Sequence, residues 1–153
     1  MITVGVISDT HSLLRPSAFD ALRGSDYIIH AGDVGDPDIL DQLCTIAPVT
    51  AVRGNVDSGS WAKKLPITDI LEVGGVLVYV IHILQDIDLK PDAAGIAAVV
   101  YGHSHKPVQE IRNGVLYFNP GSAGPRRFSL PISIGKLSVA GGQITGELIP
   151  LAR

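Results

Sequence analysis

The chain has a single cysteine, Cys44, so no disulfide can form within it and no cysteine zinc site can be built. That scarcity suits a reducing compartment, and a cytoplasmic location is expected. No uninterrupted apolar run approaches the ~20 residues needed to span a bilayer, so no membrane segment is expected. No basic segment precedes the apolar start Ile2-Thr3-Val4-Gly5-Val6-Ile7 and no small-residue cleavage pattern follows it, so no signal peptide is expected. Positive charge is scarce as well: 12 Lys and Arg stand against 15 Asp and Glu, a formal net charge of −3. That balance argues against a basic track for long nucleic acid. It leaves a phosphate-bearing substrate open, because bound metal ions would add positive charge that composition does not count.

What is present is a globular composition, 46% hydrophobic and 18% charged, in 153 residues. Residues 1–153 are read as one domain with one substantial core, since no repeat, low-complexity stretch or linker interrupts them. Residues 2–7 read as a buried strand, 16–24 as a helix opened by Pro16 and ended by Gly24, and Tyr27–His30 as a second strand. Residues 37–46 suit a second helix and Val49–Val52 a third strand. Strand–helix–strand–helix–strand implies a parallel sheet with right-handed crossovers. In the second half, 67–73 and 76–82 read as a hairpin across Gly74-Gly75, and 96–101 as a further strand. A helix is expected around 86–94 despite Pro91 within it. Segments 107–112 and 115–118 pair across Asn113-Gly114, and 131–139 and 142–149 across Gly141-Gly142. The expectation is an α/β chain of two packed sheets with helices outside.

Four of the five histidines, His11, His82, His103 and His105, fall at or just after a predicted strand, and so do Asp9, Asp33 and Asn55. Ligands of an open α/β sheet bind beyond the carboxyl ends of its strands. Seven oxygen and nitrogen donors from five strand ends can therefore converge on one crevice. Asp9-Thr10-His11 offers a carboxylate and an imidazole two residues apart. Gly32 lets the backbone turn sharply, which frees Asp33 to bridge two ions. Asn55 offers a neutral amide oxygen beside carboxylates. In an extended segment, His103 and His105 would lie on the same side and each reach an ion. Each piece alone is an ordinary loop or turn signal; the joint pattern points to a dinuclear metal site.

The order Asp-x-His, Gly-Asp, Gly-Asn, His, Gly-His-x-His resembles the calcineurin-like metallophosphoesterase superfamily. Val52-Arg53-Gly54-Asn55-Val56-Asp57 and Asn119-Pro120-Gly121-Ser122-Ala123 resemble its small prokaryotic phosphodiesterase branch, whose fold the eukaryotic retromer scaffold subunit shares. The resemblance runs from Val4 to about Arg126. It implies two packed mixed β-sheets flanked by helices, an αββα four-layer sandwich, with the metals at one edge. It implies one ion on Asp9, His11, Asp33 and His105 and a second on Asp33, Asn55, His82 and His103, with Asp33 bridging. Asp33, Asn55 and His103 are the candidate catalytic residues, acting through the metal centre. The donor set suits manganese, iron, zinc or nickel, with manganese or iron first.

The activity so implied is hydrolysis of small or nucleotide-like phosphodiesters by a metal-bridging hydroxide attacking phosphorus in line. The alternative is a non-catalytic protein-interaction scaffold on the same fold, against which stand the seven filled donor positions. Two positions depart from the pattern. Val56 stands where many members carry a histidine after Gly-Asn, which leaves the general acid unassigned, and Ile83 follows His82 where relatives usually carry glycine. His30 is either a residue that orients a ligand by hydrogen bonding or a satisfied core histidine. Asp36 is read as a helix cap, Asp57 as a candidate to hold a ligand histidine, and Ser8, Ser12 and Ser104 as turn residues. Arg126 and Arg127 are candidates for substrate phosphate or for solvent. Trp61, the only tryptophan, is open between a subunit contact, a substrate wall and edge packing; a homo-oligomer stays open with it.

Overall fold

A computed structural model describes residues 1–127 and 129–151. Five strands form the first sheet: β1 (Ile2–Ile7), β2 (Tyr27–His30), β3 (Val49–Ala51), β9 (Ser133–Ala140) and β10 (Gln143–Pro150), in the order β10-β9-β1-β2-β3. The second sheet holds β4 (Thr68–Val73), β5 (Val76–Ile81), β6 (Ala98–Val100), β7 (Val108–Arg112) and β8 (Val115–Asn119), in the order β4-β5-β6-β8-β7. β1, β2 and β3 run parallel, with Val6 opposite Ile29 and Ile29 opposite Thr50. β5, β6 and β8 are also parallel. Both sheets are mixed, as expected. All three expected hairpins form, and both residues of each loop, Gly74-Gly75, Asn113-Gly114 and Gly141-Gly142, have positive φ. That twist matches the right-handed twist of the strands they join.

The two sheets face each other across a core of Val4, Val6, Ile29 and Val52 on one side and Val78, Val80, Val100 and Phe118 on the other. Each fully buried aliphatic side chain contributes about 1.5–3 kcal/mol relative to exposure. On the outer face of the first sheet lie α1 (Pro16–Leu22) and α2 (Pro37–Cys44), which bury Ala18, Leu22, Ile39 and Leu43 against Ile7, Ile28 and Ile134. Asp36 caps α2 as read from the sequence, its carboxylate accepting from the Asp38 amide at 2.9 Å.

The helix expected over 86–94 does not form. A one-turn 3-10 helix, Leu84–Asp86, is followed by a loop, and Leu84, Ile87, Leu89 and Ile96 cover Tyr79, Ile81, Val99 and Tyr101 of the second sheet. Pro91 lacks the amide a helix interior needs there, and Gly95 turns back at φ 74°. A short helix not expected from the sequence, α3 (Ser60–Lys63), follows Gly59 and carries Trp61, which packs half-buried on the first sheet's outer core. No helix among the described residues is long and apolar enough to cross a membrane.

Candidate metal centre

Parallel order gives β1, β2 and β3 the same carboxyl edge, and β5 and β6 deliver their carboxyl ends to it from the other sheet. All seven candidate residues meet there. Asp9, His11 and His105 bring donor atoms within 4.8 Å of one another, and so do Asp33, His82 and His103. The two groups touch: His11 Nε2 lies 3.6 Å from Asp33 Oδ2, and His82 Nε2 3.9 Å from Asp9 Oδ1. Asn55 joins the second group through Oδ1, 3.1 Å from His103 Nδ1. Asp9, Asp33, His82 and His105 are buried, whereas Asn55 and His103 are exposed, so the centre opens to solvent on their side.

The backbone is bent to make this meeting. Among the described residues, seven non-glycine positions have positive φ, and five are Asp9, His11, Asp33, His103 and His105. Left-handed backbone costs a side-chain-bearing residue roughly 1–2 kcal/mol. The expectation that His103 and His105 sit in an extended segment is therefore corrected. With φ of 73° and 64° the loop coils, and the two imidazoles part, His105 towards Asp9 and His103 towards Asp33. Two glycines make room for the carboxylates. A Cβ on Gly54 would fall 2.1 Å from Asp33 Oδ1, and one on Gly102 would fall 2.7 Å from Asp9 Oδ2.

Hydrogen bonds between loops hold the donors in place. His30 is fully buried; Nδ1 accepts from the Gly32 amide at 3.1 Å and Nε2 lies 3.0 Å from Thr10 Oγ1. Among the described residues it hydrogen-bonds no candidate ligand side chain but ties the loop after β1 to the loop after β2. Asp57 does not hold a ligand histidine. Its carboxylate accepts from the amides of Val34, Gly35 and Gly54, which clamps the loop after β2 to the loop after β3. A residue two places after Asn55 is aimed back at the amides between strands, not outward at the imidazoles. Ser8 Oγ donates to Asp9 Oδ2 at 2.7 Å, and Ser122 Oγ donates to the Asp9 carbonyl. Asn119 donates to the Gly102 carbonyl and to Ser104 Oγ, bracing the loop that carries His103 and His105. Sequence reasoning missed these roles for Ser8, Thr10 and Ser122; the one available signal was their place beside candidate ligands.

Electrostatics follow from crowding. Burial opposes ionisation of Asp9, but the imidazoles of His105, His11 and His82 hold its carboxyl well below the usual carboxylate range. Burial likewise opposes charge on Asp33, and His82 with the Val56 amide outweighs it and lowers the pKa. Asp9 raises that of His11. Burial disfavours charged His82, yet Asp33 and Asp9 raise its pKa overall. His82 Nδ1 donates to the Ala31 carbonyl at 2.7 Å, which fixes the tautomer and leaves Nε2 with a lone pair 3.1 Å from Asp33 Oδ2. Two acceptors face each other there unless a proton or a cation lies between. Asp9 Oδ1, His11 Nε2, His82 Nε2 and His105 Nδ1 are buried with no hydrogen-bond partner among the described residues. Unsatisfied buried polar atoms cost about 1–3 kcal/mol each. This donor set fits divalent cations.

Ile83, half-buried, sits in ordinary extended backbone at φ −108° and ψ 109°, which any residue adopts, so its place after His82 imposes no strain. Val56 is exposed and supplies no proton. Arg126 and Arg127 are exposed, and the charge of Arg127 works against protonation of His11.

Residues 2–142 match the calcineurin-like phosphoesterase superfamily domain. The chain is 37% identical over 161 residues to a probable metallophosphoesterase of Methanocaldococcus jannaschii, covering 97% of this chain and 81% of that relative. It is 29% identical over 162 residues to the phosphodiesterase YfcE of Escherichia coli (strain K12), covering 90% and 88%. Vps29 of Chaetomium thermophilum shares the fold, with a TM-score of 0.79 at 21% identity over 95% of this chain and 85% of that one. Two facing mixed sheets, a histidine–carboxylate edge and a match over nearly all its length carry one conclusion: the chain belongs to the calcineurin-like phosphoesterase superfamily.

Proposed function

We propose that the protein is a metal-dependent phosphodiesterase that hydrolyses small or nucleotide-like phosphodiesters. One ion would be held by Asp9, His11, Asp33 and His105, the other by Asp33, Asn55, His82 and His103. The carrying observation is the contact between two three-residue donor groups through Asp33, whose Oδ2 lies within 3.6 Å of both His11 and His82. Asp33 Oδ1 accepts from the Val56 amide, which leaves Oδ2 facing both donor groups. Divalent ions bound there would supply positive charge against the phosphoryl oxygens and lower the pKa of bound water. The chain's own residues do the rest. The Ala31 carbonyl points His82 Nε2 inward, the amide of His103 holds Asp9 Oδ2, and exposed Asn55 and His103 border the side from which substrate enters. With Val56 after Asn55, esters whose leaving group needs no proton are favoured.

Manganese or iron is the first choice of metal, on mixed carboxylate, imidazole and amide donors. The test is a chelator-stripped protein reloaded with manganese, iron, zinc or nickel and assayed on aryl phosphodiesters and monoesters, with Asp33→Asn as control. The expected result is metal-restored hydrolysis that Asp33→Asn lacks. Activity surviving complete stripping, or equal in both forms, contradicts the reading. No turnover with any metal favours the alternative, a non-catalytic interaction scaffold.

A further inference from the structure

The chain leaves His82 through extended Ile83 and enters the 3-10 turn Leu84–Asp86. This segment is a ridge between two clefts. Ile83 and Asp86 line the first with Arg53, Asn55, Ile67 and His82. Leu84 and Gln85 line the second with Tyr101, His103, Ser104 and Val108. The clefts hold about 170 Å³ and 250 Å³, room for one ring-sized group each, since a cavity of about 150 Å³ takes up benzene. His82 borders the first and His103 the second, and their rings stand edge to face with centroids 5.4 Å apart. Both clefts thus border the same half of the candidate centre, one at His82 and the other at His103, and residues 83–86 contribute walls to each.

We propose that these clefts are separate subsites for the two ester groups of one phosphodiester, each group presenting an apolar body. The proposal rests on the phosphodiesterase reading above and deepens it. A diester carries an organic group on each side of phosphorus and a monoester carries one. Contacts in the second occupied cleft are therefore open to the diester alone. Ile67 and Ile83 offer aliphatic walls on one side, and Leu84, Val108 and the ring of Tyr101 offer apolar contact on the other, beside Gln85, Ser104 and Arg112. Preference for diesters then comes from a four-residue ridge instead of a capping domain.

The test uses Ile83→Ala in the first cleft and Val108→Ala in the second, singly and together, in the metal-loaded protein. Thermal midpoints check that each variant folds, and Ile83→Val with Val108→Thr replace any that does not. The substrates are bis(4-nitrophenyl) phosphate and 4-nitrophenyl phosphate, and diphenyl phosphate serves as a competitive probe of binding. Each single change is expected to lower kcat/KM on the diester about tenfold and the pair about a hundredfold, since separate subsites contribute independently. The monoester is expected to lose no more than about tenfold in the pair, because it fills one cleft. The inhibition constant of diphenyl phosphate should rise by the diester's factors. Equal losses on both substrates overturn the two subsites while leaving the phosphodiesterase reading intact. Absence of turnover of either substrate by the unaltered, metal-loaded protein removes that reading, and the subsites with it.

Discussion

Thr10 Oγ1 lies 3.0 Å from His30 Nε2 and donates to the Val34 carbonyl at 2.8 Å. His30 Nδ1 accepts from Gly32, so Nε2 carries the proton of the neutral ring and donates it to Thr10. Two loops that carry Asp9, His11 and Asp33 are thus joined through one uncharged imidazole.

Burial depresses the pKa of His30 to about 4, against 6.5 when exposed. A depressed histidine stays neutral in the fold while the unfolded chain takes up a proton. Its stabilising contribution is therefore full above about pH 6.5 and is lost as pH falls towards 4. Between pH 7 and pH 5 the loss is about 2 kcal/mol. Urea unfolding of the chelator-treated protein at both pH values, beside His30→Gln, checks this. The unaltered protein should lose about 2 kcal/mol more than the variant; parallel losses would contradict the role.

Asp57→Asn is expected to weaken the centre without touching a donor. An amide group turns one acceptor oxygen into a donor that faces the amides of Val34, Gly35 or Gly54. Stability should drop by about 1–3 kcal/mol, and metal affinity by about 10–100-fold. Urea unfolding and calorimetric titration with manganese measure the two. Unchanged affinity would show that the clamp does not position the donors.

Gly102→Ala should act on one ion more than the other. The added Cβ would meet Ser8 Oγ and come 2.7 Å from Asp9 Oδ2, whereas no atom of Asp33 is among its three nearest neighbours. Affinity of the Asp9, His11 and His105 group is expected to fall at least about tenfold, with the Asp33, His82 and His103 group less changed. Two-site calorimetry separates them; equal loss at both would contradict the geometry.

Much of this was legible in the sequence, and what was not has physical causes. β1 and β2 fall where their apolar runs predict, because a strand buried on both faces leaves a continuous apolar signature. The seven donors could be gathered from strand ends alone, since parallel order fixes which ends share an edge. The loop over 87–96 defeated the helix expectation because apolar residues covering a sheet look alike in a helix and in a loop. The one-turn helix at Ser60–Lys63 is too short to leave a period. Left-handed backbone at Asp9, His11, Asp33, His103 and His105 leaves only a weak sequence signal, because Asp and His are enriched at positive φ but far more often lie elsewhere. The tie made by Asp57 joins residues 22 and 23 positions apart, and only the fold reveals it.

Metal removal should destabilise the protein. Four buried polar atoms without hydrogen-bond partners among the described residues and five left-handed candidate ligand positions are borne by the fold in its metal-free form. Manganese at about a hundred times its dissociation constant should add about 2.7 kcal/mol per site. Thermal midpoints followed across a manganese titration check this, and Asp33→Asn should shift by less. A midpoint indifferent to manganese, iron, zinc and nickel alike would contradict it.

The most direct measurement is anomalous diffraction from manganese-loaded crystals. The expected map has two peaks roughly 3.5–4 Å apart, one among Asp9, His11 and His105, the other among Asn55, His82 and His103, with Asp33 between them. A single peak, or none at this edge, would contradict a centre in which one carboxylate bridges two ions.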